Sequence, residues 1–381
     1  MTQGPPKSIA VLYNPLSGRG QGAAAAEALS IRLESVRVGG NESEYGVRVS
    51  ALPKPGVVSA MQEINTLLQG AQLCIVLGGD GTVRATLPSL ASLGIPMLTL
   101  GMGTENLFAK QFNMPRGFGE SSLAQIEQIL REGNIVEIDL AQVHVNQHVA
   151  DEQGTLNVES HEACFSLMAS MGPDASIVQR LSVTRNGPIR HWSYVRPIMK
   201  EVLAGYLPRC TVDVIMDDGI KRRLIDGQQG FVIIANSERY ALGMNPIPHA
   251  DMSDGFLEVG FFPASGIMQA AWWYAKFMLD RHHKARSAGE GAGRGQGEDS
   301  QLGGGCVRGR GRKIHVRLVH ADLGKRMRQG DQLATMWGRH TPRGHALQVD
   351  GDAVHLASCS EECEAVFSIC QARVKVIQFK R

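Results

Sequence analysis

The chain has 381 residues, of which 43% are hydrophobic and 20% charged, and its formal net charge at pH 7 is +2. This length favours two domains, and the composition excludes a largely disordered protein or a long coiled coil. Because 39 basic residues are nearly balanced by 37 acidic ones, nucleic acid is not an expected partner.

Targeting signals and cysteine usage indicate the compartment. Met1–Ser8 leads directly into an apolar run, without the charged and then apolar segments of a signal peptide. The most apolar stretch, Ala270–Leu279, contains Lys276 and is far shorter than the roughly 20 residues of a spanning helix. The seven cysteines are odd in number and scattered, which is not typical of a disulfide framework. We therefore expect a cytoplasmic protein without a transmembrane segment, in at most peripheral contact with membranes.

Strand-like and helix-like segments alternate in the first third of the chain. The strand-like runs are Ser8–Tyr13, Val47–Leu52, Leu73–Leu77 and Pro96–Leu100. The segments with helical composition are Gln21–Leu33, Val57–Leu68, Val83–Leu93 and Thr104–Phe112. This alternation predicts a parallel sheet with helices on both faces. Residues 1–137 are therefore predicted to form an open, three-layer α/β domain.

The pattern changes after Ile135, where several strand-like runs follow one another without intervening helices. These runs are Val136–Val145, Glu162–Ala169, Cys210–Met216, Phe231–Ala235, Phe256–Phe262, Lys313–Val319 and Ala372–Phe379, interrupted by helical segments at Ile189–Ala204 and Ile267–His282. Residues 138–381 are predicted to form a mainly antiparallel β-sandwich domain. The segment 284–312 is rich in glycine and arginine, and we predict that it is a mobile insertion.

Three glycine-rich turns follow predicted strands of the first domain, at Asn14–Gly20, Gly78–Thr82 and Gly101–Asn106. The carboxyl ends of parallel strands share one edge of the sheet, so these turns should meet there. Glycine lets backbone N–H groups approach an anion closely, and the following helix adds its positive end. The turns therefore predict a phosphate site, although any one of them alone could be a simple tight turn.

Two common nucleotide motifs are not supported. Residues 18–23 can be aligned with the dinucleotide fingerprint, but the strand at Val47–Leu52 does not end in the acidic residue that holds a ribose. The chain also contains no P-loop sequence ending in Gly-Lys-Ser or Gly-Lys-Thr.

Asp80 lies between two glycines of the second turn. A carboxylate in a phosphate-binding loop is repelled by its ligand unless it serves a cation or a proton transfer. Asp80 therefore indicates magnesium binding or general-base catalysis, and the alternative is that it caps the next helix.

The segment Gly78-Gly79-Asp80-Gly81-Thr82 resembles the signature of diacylglycerol kinases, bacterial lipid kinases and sphingosine kinases and, more remotely, that of NAD kinases. Further segments are similar to the lipid-kinase pattern and follow in its order. They are Asn14-Pro15-Leu16-Ser17-Gly18, Gly103-Thr104-Glu105-Asn106-Leu107-Phe108-Ala109, Ala235-Asn236-Ser237 with Pro248–Val259, and Val349-Asp350-Gly351-Asp352.

The resemblance implies an ATP-dependent kinase that transfers the γ-phosphoryl group to the hydroxyl of a membrane lipid such as diacylglycerol, with Mg2+ as cofactor. It implies that ATP binds between the domains and that the second domain accepts the lipid. Asp254 is the first choice for the general base and Asp80 the second, and Asp80 and Asp251 are the implied metal ligands. The residues implied to contact the nucleotide are Asn14, Ser17, Gly18, Arg19, Gly79, Asp80, Gly81, Thr82, Gly103, Thr104, Asn106, Asp350 and Asp352.

The chain also departs from the family pattern. Arg84-Ala85 replaces an Asn-Glu pair, Leu107 follows Asn106 where the family has aspartate, and Asp352 replaces a glutamate. Two alternatives therefore stay open, a nucleotide kinase of the NAD kinase type and a lipid-binding relative without catalysis. A homodimer is also open, and Asp254 could simply form a turn because it lies in a Ser-Asp-Gly sequence.

A cluster of aromatic residues occupies the predicted helix at Ile267–His282. Trp272, Trp273, Tyr274, Phe277 and Met278 recur at helical spacing, which predicts core packing, with a membrane-facing patch as the alternative. The following His282-His283-Lys284 is interpreted as a solvated helix end.

Overall fold

The computed structural model describes residues 8–35, 46–53, 60–150, 156–184, 207–287, 306–319, 345–354, 356 and 362–379. Contacts divide the chain into two compact units, Met1–Leu140 with Cys370–Arg381, and Ala141–Ile369. The predicted helix at Ile189–Ala204 and most of the predicted insertion, residues 288–305, lie outside the described residues.

The first unit is built on a parallel sheet. Its strands are β1 (Ser8–Tyr13), β2 (Gly46–Ala51), β3 (Leu73–Gly78), β4 (Met97–Gly101) and the ends of two longer strands, the start of β5 (Asn134–Ala150) and the end of β15 (Glu362–Gln378). Its helices are α1 (Gly22–Ser35), α2 (Ala60–Leu68), α3 (Asp80–Leu93), α4 (Leu107–Gln111) and α5 (Glu120–Glu132).

Parallel pairing orders the central strands as β2, β1, β3, β4, and β15 follows β4 with Val376 opposite Met97. Residues 9–12 of β1 and 73–77 of β3 are at most 1% exposed. Continuous burial is expected of central parallel strands because helices cover both faces of the sheet. The predicted α/β fold of this region is confirmed.

The second unit is mainly antiparallel. Its own strands are β6 (Leu156–Phe165), β7 (Met168–Met171), β8 (Arg209–Ile215), β9 (Lys221–Ala235), β10 (Leu257–Pro263), β11 (Val307–Gly311), β12 (Lys313–Val319), β13 (Leu347–Val349) and β14 (Asp352–Val354). Among the residues that the structure describes, this unit also contains the helices α6 (Pro173–Thr184) and α7 (Ile267–Ser287).

Strand β9 organises this unit because its two halves pair with different neighbours. Residues 221–229 pair with β8, and residues 230–235 pair with β10 and β7, all antiparallel. The continuous core contains Phe165 and Phe367, whose rings meet edge to face with centroids 6.2 Å apart. The predicted mainly antiparallel arrangement of the second part is confirmed.

Three details differ from the sequence expectation. The predicted strand Glu162–Ala169 is split into β6 and β7 at Ser166-Leu167, where backbone N–H groups donate to Asp350 instead of a neighbouring strand. The predicted insertion 284–312 includes strand β11, which pairs with β10. Cys370–Arg381, expected with the second domain, groups with the first unit because the end of β15 pairs with β4.

None of the helices in the described part of the chain is long and apolar enough to cross a membrane.

Replacing Phe367 by alanine should strongly destabilise the second unit. The side chain is fully buried in the core, and deletion of a buried phenyl ring typically costs about 3–5 kcal/mol. The free energy of unfolding, measured in urea, checks this. The control is Phe118→Ala at a position that is 39% exposed, with an expected cost under about 1 kcal/mol. Equal effects of the two substitutions would contradict the assigned core.

Candidate functional site

The first two glycine-rich turns are joined by side-chain and backbone hydrogen bonds. Asn14, directly after β1, donates from Nδ2 to Thr82 Oγ1 over 3.2 Å. Its backbone N–H donates to Leu77 O, and its Oδ1 accepts from Leu16 N. Asn14 therefore joins the first turn to the second through Nδ2 and shapes the first turn itself through Oδ1.

Met102 connects the third turn to the other two. Its N–H donates to Gly78 O over 2.8 Å, and its carbonyl accepts from Gly18 N over 3.0 Å. A single peptide segment after β4 thus contacts the turns after β1 and β3. The predicted convergence of the three turns at one sheet edge is what the structure shows.

The backbones of the second and third turns approach too closely for side chains. A Cβ added to Gly103 would lie 2.7 Å from Gly79 Cα, and a Cβ added to Gly79 would lie 3.1 Å from Gly103 Cα. A Cβ contact below 3.0 Å essentially does not occur in proteins. Glycine is therefore required at Gly103 by space alone, and the contact leaves backbone exposed at the turns.

The first turn adopts a backbone conformation suited to anions. Gly18, Arg19 and Gly20 all have positive φ, at 59°, 59° and 87°. Successive residues of this kind can point their N–H groups into one concavity, as in anion-binding nests. Arg19 is exposed and Ser17 is half-buried in the same turn.

The N-terminus of α3 lies in the second turn. Gly79 is its N-cap residue, and no side chain caps this helix end. The positive end of the helix dipole is thus presented at the turn beside Gly81 and the buried Thr82.

Asp80 does not cap α3, the helix that it begins, but contacts the N-terminus of α4. Its Oδ1 accepts from the N–H of Phe108 over 2.9 Å, in the first turn of α4. Burial raises the pKa of the Asp80 carboxyl, and the backbone N–H groups of Phe108 and Leu107 oppose that rise. Asp80 thus fixes the third turn. The alternative that it caps α3 is wrong, because no side chain caps that helix end and the carboxylate contacts α4 instead.

The third turn is held closed by Asn106. Gly103 N donates to Asn106 Oδ1 over 2.7 Å, and Asn106 Nδ2 donates to Gly103 O over 2.9 Å. Asn106 has φ 50° and is only 8% exposed, whereas Thr104 between these residues is exposed. Asn106 therefore shapes the turn from inside, and Thr104 is the member of the pair placed at the surface.

In the second unit, Asp254 belongs to a charged cluster with Arg310 and Glu258. Asp254 Oδ1 accepts from Phe256 N over 3.0 Å, which is the turn geometry that the Ser-Asp-Gly sequence allows. Its Oδ2 accepts from Arg310 Nη2 over 2.6 Å, and Arg310 Nε lies 3.3 Å from Glu258 Oε1. Both carboxylates therefore share one guanidinium.

Glu258 is a residue that sequence analysis did not single out. Burial raises its pKa to about 7, Arg310 opposes this rise, and Asp254 adds to it. The signal in the sequence was a single acidic residue within the apolar strand β10. Arg310 was missed because it lies in the segment predicted to be a mobile insertion.

Asp251 lies in the same loop as Asp254 but is exposed. Its Oδ1 accepts from the backbone N–H of Ser253 over 2.9 Å and from Ser253 Oγ over 2.7 Å. In the described part of the chain, no group of three or more His, Cys, Asp or Glu residues could hold a metal ion.

Asp350 and Asp352 have different environments. Asp350 is 4% exposed, and its carboxylate accepts from Ser166 N, Ser166 Oγ, Leu167 N and Met168 N at 2.8–3.2 Å. Asp352 lies at the start of β14 and is half-buried. Asp350 thus anchors the turn, and Asp352 is the better placed of the two to meet a ligand.

A buried hydrogen-bond network around Asp174 contacts the turn at Asp350-Gly351 through Gln348. The Asp174 carboxylate accepts from the hydroxyls of Ser170, Tyr240 and Tyr274, the last over 2.8 Å. Gln348 Nε2 donates to Ser170 Oγ over 3.0 Å, and Gln348 Oε1 accepts from Gly351 N over 2.8 Å. Burial, together with the Asp174 charge, raises the pKa values of both tyrosines well above their ordinary value. Sequence analysis missed this network because its members come from distant segments.

The architecture of both units is that of solved diacylglycerol kinases. A crystal structure of a diacylglycerol kinase from Bacillus anthracis str. Sterne matches 99% of this chain and 98% of its own, with a TM-score of 0.54 and 14% identity. A second structure from the same strain matches with a TM-score of 0.55 and 14% identity over 99% of this chain and 98% of its own. At this identity the likeness establishes the fold.

Sequence comparison finds similarity to the same class of kinases. Diacylglycerol kinases from two strains of Mycobacterium tuberculosis are 24% identical over 261 residues, which is 66% of this chain and 72% of each relative. Residues 8–143 match the sequence model of the diacylglycerol kinase catalytic domain. The matched region contains all three glycine-rich turns, and the resemblance found in the sequence is confirmed.

Gly103→Ala should destabilise the first unit by about 1–3 kcal/mol, because the added methyl group must push the Gly79 backbone away. Urea unfolding followed by circular dichroism measures the change. Gly119→Ala is the matched control, since a Cβ there meets no atom within 4 Å, and it should cost under about 1 kcal/mol. Equal stability of the two variants would show that the turns do not touch.

Glu258 should make the protein less stable as the pH rises. The folded state keeps the Glu258 proton up to about pH 7, whereas an unfolded chain loses it near the ordinary pKa of 4.5. Between these values the folded state binds more protons, so the free energy of unfolding falls with rising pH. Because the side chain is 22% exposed, the loss should be roughly 1–3 kcal/mol between pH 5 and about pH 7.5.

Urea unfolding of the protein and of Glu258→Gln at both pH values measures this loss. The variant cannot titrate at this position, so its stability should change less. Glu364→Gln, at an exposed residue of β15, should behave like the unmodified protein. A stability difference between the protein and Glu258→Gln that stays constant with pH would refute the assignment.

Proposed function

We propose that the protein is an ATP-dependent lipid kinase that transfers the γ-phosphoryl group to the hydroxyl of a membrane lipid such as diacylglycerol. The observation that carries the proposal is the junction of three glycine-rich turns at one edge of a parallel sheet, inside the region that matches the sequence model of the diacylglycerol kinase catalytic domain. Glycine-lined backbone and a helix N-terminus suit a polyphosphate. The acceptor class follows from the relatives, which are diacylglycerol kinases.

The first unit is proposed to bind the nucleotide. Gly79, Gly81 and the left-handed residues Arg19 and Gly20 would direct N–H groups to phosphate oxygens. Arg19 and Thr104, both exposed, would add side-chain donors. Asn14, Asp80, Thr82 and Asn106 would act by holding the turns, since each is engaged in contacts between or within them. Ser17, Gly103 and Asp352 complete the proposed nucleotide contacts.

Magnesium would be shared between substrate phosphates and carboxylates of the protein, for which Asp80 and Asp251 are the candidates. Magnesium is commonly bound in this way, through phosphate oxygens and water in addition to protein carboxylates. When bound it would neutralise phosphate charge during transfer.

Two carboxylates are candidates for the base that removes the hydroxyl proton. Asp254 was expected from the family pattern, but both of its oxygens already accept hydrogen bonds, one of them from Arg310. Glu258 shares that guanidinium, and burial raises its pKa to about 7, where a general base is most effective at neutral pH. We propose that the pair works as a unit, with Arg310 holding both residues.

The assay for phosphoryl transfer also distinguishes the two alternative functions. A nucleotide kinase of the NAD kinase type would phosphorylate NAD, and a lipid-binding relative without catalysis would retain lipid without transfer. The cytoplasmic location, the peripheral membrane contact and a homodimer remain predictions from the sequence.

Purified protein incubated with γ-labelled ATP, Mg2+ and micelles containing diacylglycerol should yield labelled lipid, and chelation of the metal should stop the reaction. Asp254→Asn and Glu258→Gln should each lower kcat by roughly 100-fold or more, because general-base catalysis contributes about that much. The control is Asp226→Asn, which removes only an exposed ion pair with Arg223. Label on NAD alone, or no transfer at all, would overturn the proposal.

A further inference from the structure

The helix α7 carries apolar side chains on two opposite faces. On one face Ala270, Trp273 and Phe277 are at most 5% exposed. On the other face Met268, Trp272, Met278 and Leu279 are 76%, 50%, 42% and 61% exposed. The sequence expectation that these aromatic residues pack a core is therefore half right, because Trp272 and Met278 lie outside it.

The buried face fixes the orientation of the helix. Trp273 Nε1 donates to Pro263 O over 2.9 Å, and its ring meets that of Phe262 with centroids 5.3 Å apart. Tyr274 stacks on Phe231 and donates its hydroxyl to Asp174. These contacts prevent the helix from rotating its other face inward, so the exposed face is a fixed feature of the fold.

The exposed residues form a stripe along the helix. Met268, Trp272 and Leu279 are spaced by four and seven residues, and Met278 lies beside the last of them. Single exposed apolar side chains are common and need no explanation, whereas contiguous apolar patches mark interaction sites. Four of the fourteen large exposed hydrophobic residues in the described part of the chain lie on this one helix. We call Met268, Trp272, Met278 and Leu279 the α7 face.

The charges near the α7 face indicate what it contacts. Lys276 Nζ lies 4.6 Å from the centroid of the Trp272 ring, a cation–π contact at the edge of the apolar surface. An apolar stripe that contains tryptophan beside lysine is typical of helices that lie in the interface of an anionic membrane.

We propose that the α7 face docks on the surface of an anionic membrane, with Trp272 and Leu279 inserted at the level of the lipid headgroups and Lys276 contacting lipid phosphates. This inference rests on the proposed function, because a kinase for membrane lipids has to reach its acceptor at a bilayer. The docking itself needs neither ATP nor transfer, so the two can be tested separately.

Flotation of the full chain with vesicles measures docking directly. The protein should bind vesicles of phosphatidylcholine with phosphatidylglycerol and should bind much more weakly to vesicles of phosphatidylcholine alone. The double variant Trp272→Ala, Leu279→Gln should lower the partition coefficient by roughly tenfold or more, since two interfacial apolar anchors are lost. Lys276→Glu should selectively weaken binding to the anionic vesicles. Thermal unfolding of each variant checks that it is folded.

The matched control is Val158→Gln, which replaces another apolar residue of the second unit that is 58% exposed and should bind vesicles like the unmodified protein. Equal vesicle binding by the double variant and by the control would overturn the inference. The absence of vesicle binding would also overturn the inference. A double variant that loses only self-association, measured by sedimentation, would overturn it as well, because a second copy of the chain would then cover the face. Vesicle binding through this face by a protein that phosphorylates no lipid would support the docking and refute the proposed function.

Discussion

The candidate site depends on one close approach of two backbones, that of Gly79 to Gly103. At this separation neither residue tolerates a side chain without a shift, so the turns after β3 and β4 present peptide groups to one another and to the edge of the sheet. The peptide groups of Met102 extend the contact to the first turn through Gly78 and Gly18. Three turns that are distant in sequence therefore move as one body, and a polyphosphate would meet a preformed surface.

Much of this was accessible from the sequence, and the limits have physical reasons. Apolar runs, glycine positions and alternating elements predicted the parallel sheet and the convergence of its turns, because these are local properties or follow from the topology of parallel strands. The role of Asp80 was not accessible, since its partner Phe108 is 28 positions further along the chain. The alternative considered from the sequence was a cap on α3, whereas only the tertiary structure shows that the carboxylate contacts α4.

The second unit shows how environment separates carboxylates that look alike in sequence. Asp350 accepts four hydrogen bonds from Ser166, Leu167 and Met168, so its carboxylate is held in a structural role. Glu258 has one shared guanidinium and a partly buried position, so burial dominates and its pKa rises. This contrast was invisible in the sequence because Arg310 lies on a strand hidden in a glycine-rich segment.

Helix α7 links the buried network of the second unit to its surface. Successive residues on a helix are about 100° apart, so neighbours such as Trp272 and Trp273 necessarily point in different directions. Trp273 and Tyr274 pack inward, and Tyr274 reaches the Asp174 carboxylate, whose network continues through Gln348 to the turn that carries Asp352. A helix that is apolar on both faces gives no periodic signal for which face is buried. Docking at Trp272 would thus act on the same helix whose Tyr274 anchors the Asp174 network.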